Sequence, residues 1–117
     1  MRKIRVLLLA FVEKPQDRFV EIPDDKRIDD LPIAEALELV FRYGQNDFQP
    51  KPMPSVSAGD AIYFKGSVYY VAGVGFIEIT GEEIAEIRAM PQRDRAFAFI
   101  EYVQKSRKER GVPCETI

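Results

Sequence analysis

The chain has 117 residues, of which 46% are hydrophobic and 31% charged, with a formal net charge of −2. That is the size of one domain with a real core. The balance excludes a disordered chain, and the net charge speaks against a duplex-DNA binder as a whole. Histidine is absent and Cys114 is the single cysteine, so no intrachain disulfide is possible.

The opening "MRKIRVLLLAFVEKP" mimics a secretory leader. Its apolar run covers only residues 4–12, contains Arg5, and meets Glu13 and Lys14 with no small-residue cleavage site. A β-strand covered on both faces is expected instead, because Ile4, Val6 and Leu8 alternate with Leu7 and Leu9. No other apolar stretch approaches bilayer length, and a cytoplasmic protein is expected. Pro15-Gln16-Asp17 reads as a turn into a short strand at 18–22, paired antiparallel with the first.

A charged loop at 23–30 precedes a helix beginning near Pro32, with Ile33, Leu37, Val40 and Phe41 as its apolar stripe and Glu38–Arg42 as an exposed pair. Gly44 suits a left-handed position ending that helix. Next come Gln45, Asn46, Asp47 and Phe48, then Pro50, Pro52 and Pro54 at every second position. The prolines are expected to stiffen an extended crossing and deny it a pairing edge.

Residues 60–65 and 68–72 flank Gly66-Ser67, which reads as a hairpin with a type II′ turn. "GVGFIEI" (73–79) is expected to continue as strand after a glycine bend. Thr80-Gly81-Glu82-Glu83 has the form of a capping box opening a short helix that turns Ile84, Ile87 and Met90 inward. Asp94 is placed to cap a last helix from Arg95 to about Arg110, burying Phe97, Ile100 and Val103, although "AFAFIEYV" also reads as a strand. The fold class that follows is α+β: a small, mostly antiparallel sheet, curled towards a barrel, packed with one central helix and one or two C-terminal helices. One domain spans 1–117, with a frayed tail at about 111–117.

Little chemistry declares itself. Without histidine there is no Ser-His or Cys-His pair, and one cysteine builds no zinc site. Asp24, Asp25, Asp29 and Asp30 lack the order of a calcium loop and are interrupted by Lys26 and Arg27. Gly73-Val74-Gly75 begins like a phosphate-binding loop but has Glu78 where a third glycine belongs. Neither an enzyme nor a cofactor or metal is expected; a carboxylate-dependent hydrolase is the weakest of the functional readings.

Two binding surfaces remain. Residues 88–117 hold seven Lys/Arg against four Asp/Glu, so Arg93, Arg95, Lys105, Arg107, Lys108 and Arg110 form a candidate phosphate-contacting set, with Tyr63, Phe64, Tyr69 and Tyr70 as stacking platforms for single-stranded bases. The bland alternatives are a solvated helix and a half-buried hairpin. Gln45, Asn46, Asp47 and Phe48 form the candidate protein-contacting surface, set against the reading that Asn46 or Asp47 caps a turn.

The combination of "ELVFRYGQND", "SVSAGDAI" and "YYVAGVGFIEI" resembles the YodL-like domain found in plasmid, conjugative-element and phage proteins. Ser55, Ser57, Asp60, Ile62, Tyr69, Tyr70, Val71, Gly75 and Phe76 carry the resemblance, which covers residues 35–79. It supplies no active site. It implies a non-enzymatic domain of mobile-element origin that binds a host or element-encoded macromolecule. On both grounds the leading expectation is a protein-binding accessory or antidefence factor, and the alternative is a nucleic-acid-binding module.

Overall fold

A computed structural model describes residues 1–45, 55–114 and 116–117, with the side chains of Phe99 and Ile100 outside that description. Five strands form one antiparallel sheet: β1 (Arg2–Leu8), β2 (Gln16–Ile22), β3 (Ala61–Phe64), β4 (Ser67–Val71) and β5 (Phe76–Ile79). Their order is β2-β1-β3-β4-β5, so the sheet is open, and the expected curl towards a barrel is not closed. Two short 3₁₀ turns, Asp24–Lys26 and Ile28–Asp30, lead into helix α1 (Ile33–Tyr43). After β5 come α2 (Gly81–Ala89), α3 (Gln92–Arg95), a π-type stretch at Phe99–Gln104 and α4 (Lys105–Arg110). Among the described residues no helix is long and apolar enough to cross a membrane.

The two-faced apolar character of β1 sets the layering. Ile4, Val6 and Leu8 join Val20, Ile22, Ile62, Tyr69 and Val71 on one face, beneath Ala36, Leu37 and Val40 of α1. Leu7 and Leu9 belong to a second cluster with Tyr70, Ile77 and Ile79, covered by Ile84, Ile87, Ala98 and Val103. The sheet therefore lies between α1 and the C-terminal helices. Alternation along β2 puts Arg18 on the same buried face as Val20 and Ile22. Its Nη1 donates to the Gly44 carbonyl at 2.6 Å, joining β2 to the end of α1.

Several local expectations change. Gly44 is right-handed, with φ −73°; it is required by space, because a Cβ there would lie 2.4 Å from Val56 Cγ2. The hairpin turn sits one residue earlier than expected. Phe64 pairs with Ser67, leaving Lys65 (φ 49°) and Gly66 (φ 81°) as a type I′ turn rather than type II′. Lys65 Nζ donates to the Asp29 carbonyl at 2.7 Å, a tie to the 3₁₀ turns. The segment 73–79 does not continue β4. Val71 pairs with Phe76, so Ala72–Gly75 reverses the chain into a new strand.

The last helix differs most. Buried positions fall at Ala98, Val103 and Arg107, and Phe97 is 59% exposed. The step from 98 to 103 is the five-residue spacing of a π turn, and the step to 107 is the α spacing. The wide turn moves the buried stripe one residue from where a uniform 3.6 period puts it. Ile100 lies outside the described side chains, as do Pro50, Pro52 and Pro54. Within the tail expected at about 111–117, Ile117 N–H donates to the Phe76 carbonyl of edge strand β5 at 2.7 Å.

Filling the contact at Gly44 tests the close approach. Gly44→Ala is expected to destabilise the fold by about 1–3 kcal/mol, since neither Val56 nor the Val40 carbonyl at 3.1 Å can yield freely. Urea unfolding measures it, and an unchanged midpoint would show that the helix end moves away from Val56.

Candidate binding groove at the strand-end loops

The exit of β1, the entry to β3, the β4–β5 reversal and the link after α3 gather at one end of the sheet. Asp60, 2% exposed, organises them. Its Oδ1 accepts from Leu9 N–H (2.8 Å) and Ala10 N–H (3.0 Å), and its Oδ2 from Ser57 N–H (2.8 Å). The Asp60 carbonyl accepts from Val71 N–H and the Gly59 N–H donates to Val71. Burial pushes the Asp60 carboxyl above its ordinary range, against the three amides that pull it down. The Ser57–Asp60 step is thus both a turn, with Asp60 N–H donating to the Ser57 carbonyl, and a buried anchor for β1.

Arg95 holds the same loop from the other side. Its Nε donates to the Leu9 carbonyl at 2.7 Å and its Nη1 to Met90 at 3.0 Å; its Nη2 reaches Val12 and, at 2.9 Å, Glu13. A third buried arginine, Arg107, forks onto Glu83, with Nε to Oε2 at 2.9 Å and Nη2 to Oε1 at 2.7 Å. The capping box is present as expected, and Glu83 serves both it and the fork. Arg95 and Arg107 therefore leave the phosphate-contacting set: both are buried and committed to internal acceptors.

The other basic residues, Arg93, Lys105, Lys108 and Arg110, are exposed. Arg93 lies 4.0 Å from Asp94 and Arg110 lies 3.9 Å from Glu83. Phe64, Tyr69 and Tyr70 are core residues. Tyr63 is half-buried, with the Arg5 guanidinium 4.2 Å from its ring centre. The hairpin offers no row of exposed stacking platforms. Asp24, Asp29 and Asp30 pair with the N-terminal amine, Arg2 and Arg27, and among the described residues no group of three metal-ligating side chains occurs.

A groove of about 510 Å³ lies where α1 ends beside the β4–β5 reversal. Phe41, Val71, Ala72 and Phe76 line it, with Glu38, Arg42 and Gln45 also on its walls. Gln45 is anchored: its Nε2 donates to the Phe41 and Val56 carbonyls, each at 3.0 Å. It caps α1 and presents the rest of its side chain to the groove. Asn46, Asp47 and Phe48 lie outside the described residues. The expected Glu38–Arg42 pair is not formed, and neither side chain has an ion-pair partner among the described residues. Phe41, expected in the apolar stripe of α1, packs against the core cluster that contains Phe76, and both also line the groove.

No protein-family model, curated protein or solved structure matches this chain.

The anchors have measurable consequences. Asp60→Ala, leaving three buried N–H groups without acceptors, is expected to cost roughly 3 kcal/mol or more in urea unfolding. Asp60→Asn should cost less, since one amide oxygen still serves Leu9 and Ala10. A near-neutral Asp60→Ala would remove Asp60 as an anchor. For Glu83, burial raises the carboxyl, but the Arg107 fork and the Thr80 amide outweigh it and hold the group below its ordinary 4.5. A depressed folded value contributes stability above pH 4.5 that is lost as pH falls through the folded value. The stability gap between the native chain and Glu83→Gln, about 3 kcal/mol at neutral pH by the cost of breaking a buried pair, is expected to shrink on acidification. A gap independent of pH would show that Glu83 acts through packing alone.

Proposed function

We propose that the chain is a non-enzymatic binding protein that works by protein–protein contact, with the groove at the end of α1 as its contact surface. The observation that supports this reading is an apolar floor of Phe41, Val71 and Phe76 beside Glu38 and Arg42, two opposite charges without ion-pair partners among the described residues. An apolar centre with a polar rim is the anatomy of a protein interface, and a rim of both signs suits a polypeptide better than a polyanion. The burial of Arg95, Arg107 and the hairpin aromatics counts against the nucleic-acid alternative. Taken with the resemblance to YodL-like domains, the proposed role is that of an accessory or antidefence factor of a mobile element, acting on a host or element-encoded protein in the cytoplasm.

Site-specific photocrosslinking in the native cell tests it. A crosslinker at Arg42 is expected to trap a discrete protein partner that one at Lys108 does not. Ala72→Arg, which obstructs the groove, should abolish the adduct, as should Asn46→Ala with Phe48→Ala if those neighbouring residues contact the partner. The melting temperature should stay close to that of the native chain in both variants. Equal adducts from positions 42 and 108, or nucleic acid trapped at Lys108, would overturn the assignment.

A further inference from the structure

β5 is the last strand in the sheet order, so one of its edges has no strand beside it. Two carbonyls on that edge are occupied from outside the sheet. The Phe76 carbonyl accepts from Ile117 N–H at 2.7 Å, and the Glu78 carbonyl accepts from Arg107 Nη2 at 2.8 Å. The chain turns towards this edge at a tight helix ending. Gly111 is left-handed (φ 69°), and Val112 N–H donates to the Arg107 carbonyl at 2.8 Å, the long bond of a Schellman motif. Arg107 Nη1 lies 3.5 Å from the Pro113 carbonyl, and Thr116 lies against Gly75. Pro113 is thereby joined through Arg107 to Glu78, and Ile117 is joined to Phe76. The order of attachment is opposite to the direction of β5, as it is for an added antiparallel strand.

Val112, Pro113, Cys114, Thr116 and Ile117 are all exposed, so this seat is made by main-chain bonds rather than by burial. Such a seat is exchangeable, because any extended polypeptide offers the same N–H groups. It also adjoins the groove, since Gly75 and Phe76 line both. We infer that the β5 edge takes an extended segment of the groove's protein partner by strand addition, and that residues 112–117 hold this seat in the free chain as an intramolecular competitor. The inference rests on the reading of the groove as the protein-contact surface. Strand addition draws affinity from main-chain hydrogen bonds and selectivity from side-chain pockets. Here the Phe76 carbonyl supplies the first and the groove the second. Arg107 is committed to Glu83 and keeps the Glu78 carbonyl, which confines the exchange to the end of β5 beside the groove. Because the tail must leave first, the partner's apparent affinity is reduced to the fraction of chains whose edge is open.

NMR titration of the full chain with an acetylated peptide of residues 112–117, carrying Cys114→Ser against oxidation, tests the seat without the partner. At up to millimolar concentration the peptide is expected to shift the amide signals of Gly75, Phe76 and Ile77. Those of Gln16–Ile22, on the opposite edge of the sheet, should not move. Two variants release the resident tail. Gly111→Val acts on the turn alone: a Cβ there meets nothing within 4 Å, but a branched residue resists the left-handed conformation. Ile117→Pro removes the donating N–H. Both are expected to tighten peptide binding, Gly111→Val by roughly tenfold, and to raise the yield of the partner adduct at Arg42. A peptide that leaves the β5 signals unmoved in all three chains, or binds all three equally, overturns the inference. Peptide binding as expected beside an empty crosslink at Arg42 instead strikes the groove reading, and with it the partner named for this edge.

Discussion

The Leu9–Ala10 peptide unit is held at both ends by charge: its N–H donates to the Asp60 carboxylate, as does the N–H of Leu9, and its C=O accepts from the Arg95 guanidinium. Bonds to ionised partners are roughly twice as strong as neutral ones, and low surrounding polarity strengthens them further. One short stretch of backbone thereby fixes three distant parts of the chain. The loop before β3 brings the anion, the last residue of α3 brings the cation, and the exit of β1 lies between them. The strand-end loops owe their relative positions to this arrangement, and the groove takes part of its wall from Ala58 in the loop before β3.

Buried arginines recur as joints between layers. Arg18 reaches the Gly44 carbonyl at the end of α1, and Arg95 reaches the Met90 carbonyl at the end of α2. A helix C-terminus concentrates unsatisfied carbonyls and partial negative charge, so a guanidinium is the fitting closure. Arg107 works at the opposite polarity. It binds Glu83 in the first turn of α2, where a carboxylate already complements the helix, and its Nη2 also takes the Glu78 carbonyl of β5 at 2.8 Å. Each joint spans an element boundary that apolar contacts alone would leave free to slide.

Much of this was legible in the residues. Amphipathic spacing located α1, the Thr80–Glu83 box located α2, and the doubly apolar β1 implied a sheet covered on both sides. What escaped has definite physical causes. Lysine at the left-handed Lys65 position is unusual enough that glycine alone drew the turn one residue too far. The π stretch breaks the period from which a buried face is counted, so Phe97 was assigned inward and Ala98 overlooked. Arginine carries no mark of burial in composition, yet Arg18 sits two residues from Val20 and four from Ile22, a spacing that places it on the inner face. Of the candidate site, Gln45 was in view, but the groove's floor was not. Phe41 and Phe76 serve the core as well, and only the fold brings them to one groove.

The return of the chain to β5 has a bearing on how the protein connects to whatever adjoins it. Thr116 Cβ lies 3.3 Å from where a side chain on Gly75 would begin, and Ile117 is hydrogen-bonded to Phe76, so both residues adjoin two of the groove's lining residues. Any polypeptide continuing past Ile117, whether a tag or further sequence, departs from beside Phe76, a wall of the groove. Met1 stands at the far end of β1, paired with Asp24. A label attached there leaves the strand-end loops open, which makes the two termini unequal as handles.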